Sequence, residues 1–162
     1  MIIAVCAPPL VDKSEVSAGL ASDHRLKVIR DPAPELCARY GFQTLYDMPA
    51  DLQRSCREQL MKDHLALLQS SSGLLLEYSA VEWMADWMRW FWGGTPTQSW
   101  AKILAQGGEA VRRYDQIYQV ENGRSRAYDG YAWLDRENSR QVGSLMRYLH
   151  GELGVSDRVK QC

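Results

Sequence analysis

The chain has 162 residues, 46% of them hydrophobic and 24% charged, with a formal net charge of −1. A chain of that length buries about two-thirds of its unfolded surface in one core and is too short for two domains of ordinary size, and the composition excludes a disordered or low-complexity protein. Charge this close to neutral gives no overall attraction to nucleic acid or to an anionic membrane, so function has to reside in local sites. A single domain over residues 1–155, with a frayed tail over 156–162, is expected.

Ile2-Ile3-Ala4-Val5-Cys6 is a continuous apolar run, the pattern of a central parallel strand covered on both faces, and it stops at Pro8-Pro9. Lys13 to Ala21 reads as a short helix with Val16 and Leu20 four apart, and Leu26 to Ile29 as a second strand. Pro32 and Pro34 punctuate the start of a helix over Glu35 to Tyr40. Pro49 suits the first turn of a longer helix, Ala50 to Gln69, with Leu52, Cys56, Leu60, His64 and Leu67 along one face. Ser70-Ser71-Ser72-Gly73 then turns the chain into Leu74-Leu75-Leu76, a third buried strand ending at Glu77.

A tryptophan-rich helix follows and Gly93-Gly94-Thr95-Pro96 breaks it, after which Gln98 to Arg113 is helical again. Tyr114 to Val120 alternates as a fourth strand with Ile117 inside, and Glu121 to Tyr128 is a polar loop. Val142, Leu145, Met146, Leu149 and Leu153 mark an amphipathic helix within Asp135 to Leu153. Strands alternating with helices at this spacing predict an α/β domain of three layers, a parallel sheet with helices on both faces.

Cys6, Cys37, Cys56 and Cys162 are widely spaced, without a CxxC or a nearby His pair, and read as reduced thiols rather than as a zinc site or a disulfide framework. The start of the chain has no basic n-region or signal-length apolar run, and the apolar zone Trp83 to Trp92 is broken by Asp86 and Arg89. A cytoplasmic protein is expected.

The segment between the first strand and the first helix, Ala7-Pro8-Pro9-Leu10-Val11-Asp12-Lys13-Ser14, aligns with the pattern G-x-x-x-x-G-K-[ST]. In that pattern backbone N–H groups and a helix N-terminus surround a phosphate, Lys reaches its oxygens and Ser or Thr binds magnesium. The Lys-Ser pair is in register, but Ala7 and Asp12 replace both glycines, and Pro8 and Pro9 bring no N–H. An Asp12 carboxylate about 4 Å from a phosphate charge repels it by roughly 4 kcal/mol at an effective dielectric near 20, on the order of a thousandfold in affinity. Lys13 is able to pair instead with Asp12 or another nearby acid and hold the loop closed. The octet is a degenerate Walker A.

Together with the order of elements, these residues resemble the nicotinamide riboside kinase-like P-loop ATPases found in the C-terminal part of bacterial NadR-type proteins, over most of the chain. The resemblance implies a P-loop NTPase fold of the nucleoside/nucleotide kinase type. It makes Asp31, in Val28-Ile29-Arg30-Asp31-Pro32-Ala33, the acid that ends the second strand, and Glu77, after Leu74-Leu75-Leu76, the counterpart of a Walker-B Asp. Arg113-Tyr114-Asp115-Gln116-Ile117-Tyr118 is similar to the family's Tyr-Asp and apolar strand, and Asp129-Gly130-Tyr131 with Asp135-Arg136-Glu137 to the segment before its last helix. Pro34 stands where the family has an arginine, and Tyr131 or Ala132 where a basic residue stabilises transferred phosphate. These departures fall on groups that touch phosphate, metal or substrate while the skeleton is retained, which is the pattern of a pseudoenzyme.

Trp83, Trp87 and Trp90 recur on one helical face, with Met84 and Met88 interleaved, and read either as core or as an exposed patch that docks a partner or a second copy. Arg112, Arg113, Arg124, Arg126 and Arg136 read either as solvated charges or as a basic lid over an anionic ligand. His24, His64 and His150 have no metal-ligand or triad context. The leading expectation is a non-catalytic, cofactor-free regulatory module that binds another protein or itself through Trp83, Trp87 and Trp90. The alternative is an ATP-dependent kinase of a nucleoside-like metabolite, with Lys13 on phosphate, Ser14 and Glu77 on magnesium, Asp31 as base or substrate ligand, and Arg124 and Arg126 as lid. A nucleotide sensor without turnover is the third.

Overall fold

The computed structural model describes residues 1–9, 11–91, 97–121 and 136–162. In chain order the elements are β1 (Ile2–Cys6), α1 (Ser14–His24), β2 (Lys27–Ile29), α2 (Ala33–Arg39), α3 (Ala50–Ser70), β3 (Leu74–Leu76), α4 (Ala80–Phe91), α5 (Thr97–Arg112), β4 (Gln116–Gln119), α6 (Arg136–Glu152) and β5 (Val159–Gln161), with short 3-10 turns at Leu45–Asp47 and Ser156–Arg158. The strands form one parallel sheet in the order β2-β3-β1-β4-β5, with Ala4 opposite Leu76 on one side and Ile117 on the other.

Alternation along the strands divides the core in two, because successive side chains point to opposite faces. Ile2, Ala4, Cys6, Leu74, Leu76 and Ile117 face α3 to α6 and meet Met61, Met84, Val111 and Met146. Ile3, Val5 and Leu75 face the other way, under Val16 and Leu20 of α1. With helices on both faces, β1 is buried at every position, which is why its sequence is apolar throughout rather than alternating. A satellite cluster of Cys37, Leu45, Met48, Cys56 and Leu60 packs the segment between α2 and α3 against the long helix.

Among the boundaries that differ from expectation, two have a plain physical cause. Residues 156–162 are not frayed: Val159 pairs with Ile117 in register, the Cys162 N–H donates to the Gln119 carbonyl at 3.0 Å, and the Arg158 guanidinium donates to the carbonyls of Arg112 and Tyr114. Backbone pairing, not an apolar pattern, makes this edge strand. Helix α1 runs three residues past Ala21 and stops at Arg25, which takes the left-handed conformation at φ 53° while the Leu26 N–H returns to the Ala21 carbonyl. No glycine marks that stop, although a non-glycine residue there costs about 1 kcal/mol. Among the described residues no helix is long and apolar enough to cross a membrane.

Candidate functional site

The described polar groups of the loop leaving β1 find partners within the protein. Pro8 and Pro9 have no N–H, and the Val11 N–H donates to the Pro8 carbonyl at 3.2 Å. The Asp12 carboxylate accepts both the Ser14 N–H at 3.0 Å and the Ser14 hydroxyl at 2.6 Å, an Asx-type cap on the first residue of α1. Lys13 donates to both carboxylate oxygens of Glu82, each at 2.8 Å. The loop also leans on α6: a Cβ added to Gly143 would lie 3.1 Å from Pro8 Cγ, so a larger residue there would make the loop give by a few tenths of an ångström.

Glu82 is placed by a capping arrangement. Ser79 precedes α4 and its hydroxyl accepts the Glu82 N–H at 3.1 Å, which puts the glutamate at the third helical position, where the helix dipole favours an anion. In a full capping box the glutamate turns back to its own cap; here it reaches Lys13, 69 residues away in sequence. Burial raises its pKa from 4.5 to about 6, against the opposing pull of Lys13 and a backbone hydrogen bond from Ala7. Burial, and next the charge of Glu82, push the Cys6 thiol up to about 12, so it stays protonated under the site.

Asp31 follows β2 by two residues and accepts the Ala33 N–H at 2.9 Å, starting α2 two residues earlier than predicted. Its pKa is raised by burial and held back by the Ala33 hydrogen bond and by Lys13. Opposite, Arg57 of α3 meets Asp86 of α4 at 2.7 Å, the Tyr46 hydroxyl also donates to Asp86, and the guanidinium lies over the Tyr46 ring, 5.5 Å from its centre. Burial and Asp86 together keep the Tyr46 phenol protonated. These groups line a cavity of about 380 Å³ into which Lys13, Ser14, Asp31 and Glu77 all open, so the four residues predicted as phosphate, metal and substrate contacts do converge.

Glu82, Arg57, Asp86 and Tyr46 were missed. Ser79-Ala80-Val81-Glu82 carried a readable capping signature, but nothing local to it names Lys13 as the partner. Arg124 and Arg126, the predicted lid, lie outside the described residues. Among the described residues no three His, Cys, Asp or Glu side chains group closely enough to hold a metal ion.

The three tryptophans of α4 are not alike. Trp87 is 3% exposed and belongs to the main core, Trp83 stacks on Tyr78 with ring centres 4.7 Å apart, and Trp90 meets the edge of Tyr46. α3, α5 and α6 pack against α4 and take Trp87 into the core, so Trp87 is no docking residue, while Trp83 and Trp90 stay half-buried. His64, on the far side of Trp83, lies between the Tyr78 and Tyr114 hydroxyls at 3.3 and 2.5 Å, and the Tyr114 oxygen accepts the Ala80 N–H at the start of α4. Burial lowers the His64 pKa from 6.5 to about 3.

No protein-family model matches the sequence, and no curated protein does. Among solved structures, a NadR protein in complex with NR superposes with a TM-score of 0.71 over 99% of this chain at 11% identity. A NadR protein in complex with NAD and AMP-PNP gives 0.69 over the same share, also at 11% identity. The chain has a NadR-like P-loop kinase fold. It spans 43% of the length of those NadR chains. Likeness at this identity carries the architecture, and the expected parallel sheet with helices on both faces stands with it.

Proposed function

We propose that this P-loop kinase-fold domain does not transfer phosphate and serves as a regulatory or protein-binding module. The observation that carries this reading is that the loop's described polar groups are already engaged: Lys13 is held by Glu82, the Ser14 N–H and hydroxyl by Asp12, and the Val11 N–H by the Pro8 carbonyl. A magnesium nucleotide does not fit these residues. Its phosphates need a ring of free N–H groups and an unopposed lysine, and would meet instead two prolines and the carboxylates of Asp12 and Glu82. Ser14 and Glu77, the candidate metal contacts, both line the cavity, and the serine hydroxyl donates to Asp12.

One observation favours the alternative of an ATP-dependent small-molecule kinase: Lys13, Ser14, Asp31 and Glu77 share one cavity. Calorimetric titration with magnesium-ATP and magnesium-GTP separates the two. No saturable heat up to millimolar nucleotide is expected, and micromolar binding that disappears in Lys13→Ala overturns the non-catalytic reading in favour of the kinase.

A further inference from the structure

We propose that Glu82 is a built-in anion: its carboxylate takes the place at Lys13 that a ligand's phosphate would fill, and so keeps a latent anion site in the loop shut. This rests on the domain being one that does not bind nucleotide, and it names the residue most responsible. Lys13 Nζ is 2.8 Å from each Glu82 oxygen, a symmetrical approach that mimics two oxygens of a phosphate. The helix carrying Glu82 is pinned at its start by the Ser79 cap and by the Tyr114 hydroxyl on the Ala80 N–H, so the carboxylate is presented to the loop rather than drawn to it.

The remaining charges of the cavity point the same way. Arg57 is engaged by Asp86, and Asp31 and Glu77 add further carboxylates to the wall, so among the described residues Lys13 is the cation whose neutralisation decides whether an anion enters. Asp12 occupies the helix end of the loop as Glu82 occupies the lysine. Neutralising Glu82 alone therefore reopens the lysine, without restoring the missing N–H cradle. The ligand expected is a small polyanion such as pyrophosphate, held weakly, and not a tightly bound nucleotide.

The experiment uses wild type and Glu82→Gln, which keeps side-chain length and removes the charge, with pyrophosphate as the calorimetric probe. Glu82→Gln is expected to bind pyrophosphate at least about tenfold more tightly than wild type, with the gain lost in the Glu82→Gln, Lys13→Ala double variant. A second readout is acetylation of Lys13 by an activated ester, mapped by mass spectrometry against the exposed Lys102. Lys13 should acetylate faster in Glu82→Gln while Lys102 is unchanged. Equal Lys13 rates in the two proteins, or no gain in pyrophosphate affinity in a variant that melts cooperatively, overturns the proposal and leaves the non-catalytic reading standing. Magnesium-ATP binding to wild type would instead remove that reading. Should Glu82→Gln not fold, the same two readouts on Glu82→Ala decide.

Discussion

Two ion pairs face one cavity with the same charges and opposite construction. Arg57 and Asp86, 5% and 15% exposed, both stand on helices, and the pair is completed by the Tyr46 hydroxyl and ring. Lys13 and Glu82, 19% and 21% exposed, join the end of a proline-bearing loop to the first turn of a helix. Guanidinium is planar, always charged and stacked; ammonium is a point charge on a flexible stem, and burial raises its partner's pKa to about 6. The first pair is a clasp that closes the cavity wall, and the second is a latch that neutralisation of one carboxylate releases.

The sharpest way to break that distinction is Asp86→Ala. It removes the carboxylate that both the buried Arg57 guanidinium and the Tyr46 hydroxyl engage, and a loss of about 3–5 kcal/mol is expected in urea unfolding. A loss under about 1 kcal/mol would mean that Arg57 escapes to water and that the two pairs do not differ in kind.

The next effect concerns what holds the latch helix in place. His64 has a folded pKa near 3 against 6.5 unfolded. Below pH 6.5 the unfolded chain takes a proton that the folded one refuses, so the stability His64 contributes is complete above pH 6.5 and drains away as pH falls toward 3. Between pH 6.5 and 4 this amounts to about 3 kcal/mol, and His150, lowered to about 4 by burial, adds in the same direction. His64→Gln, which still hydrogen-bonds but does not titrate, should flatten the acid limb of a stability–pH profile. An unchanged limb would show that other groups carry it.

How much of this was legible follows from range. β1 and β3 were plain because burial on two faces leaves an unbroken apolar run, and the Lys13-Ser14 register was plain because strand, loop and helix are adjacent in the chain. Asp31 and Glu77 were placed by the order of elements, each at the end of a strand beside the loop. Glu82 was hidden although its cap was visible, because a cap fixes where a side chain starts and not what it reaches 69 residues away. β5 was hidden because three residues with one apolar side chain have no period, and its order comes from hydrogen bonds to β4. The tryptophans were ambiguous because a helical stripe reads alike whether its cover is another helix or a partner; Trp87 is covered from within.

Tyr114→Phe tests whether the latch depends on the core beneath it. The substitution leaves the Ala80 N–H and His64 Nε2 without their shared partner, at a cost of about 2 kcal/mol. The amide of Ala80 should exchange faster with deuterium, and if the first turn of α4 loosens then Lys13 should acetylate faster too. Faster Ala80 exchange with unchanged Lys13 reactivity would separate the latch from its support.

The smallest effect is the most diagnostic, because it depends on pH. Lys13→Met removes the cation from Glu82, as Asp86→Ala removes the anion from Arg57, but a glutamate is able to neutralise where a guanidinium is not. The Glu82 pKa is already raised to about 6 with Lys13 beside it, and losing that cation raises it further. At pH 5 the carboxyl in Lys13→Met is protonated and the variant should unfold within about 1 kcal/mol of wild type; at pH 8 holding the bare carboxylate in place should cost about 1–2 kcal/mol, allowing for its partial exposure. In wild type the sign is set by the raised pKa: the folded state holds a proton that the unfolded state has released between pH 4.5 and 6, so the Glu82 contribution declines as pH rises through that window. Glu82→Gln deletes this decline and should steepen the rise of stability with pH that His64 and His150 produce there. Equal cost of Lys13→Met at pH 5 and 8 would mean that Glu82 does not take up the proton, and the latch would then be a clasp like Arg57–Asp86.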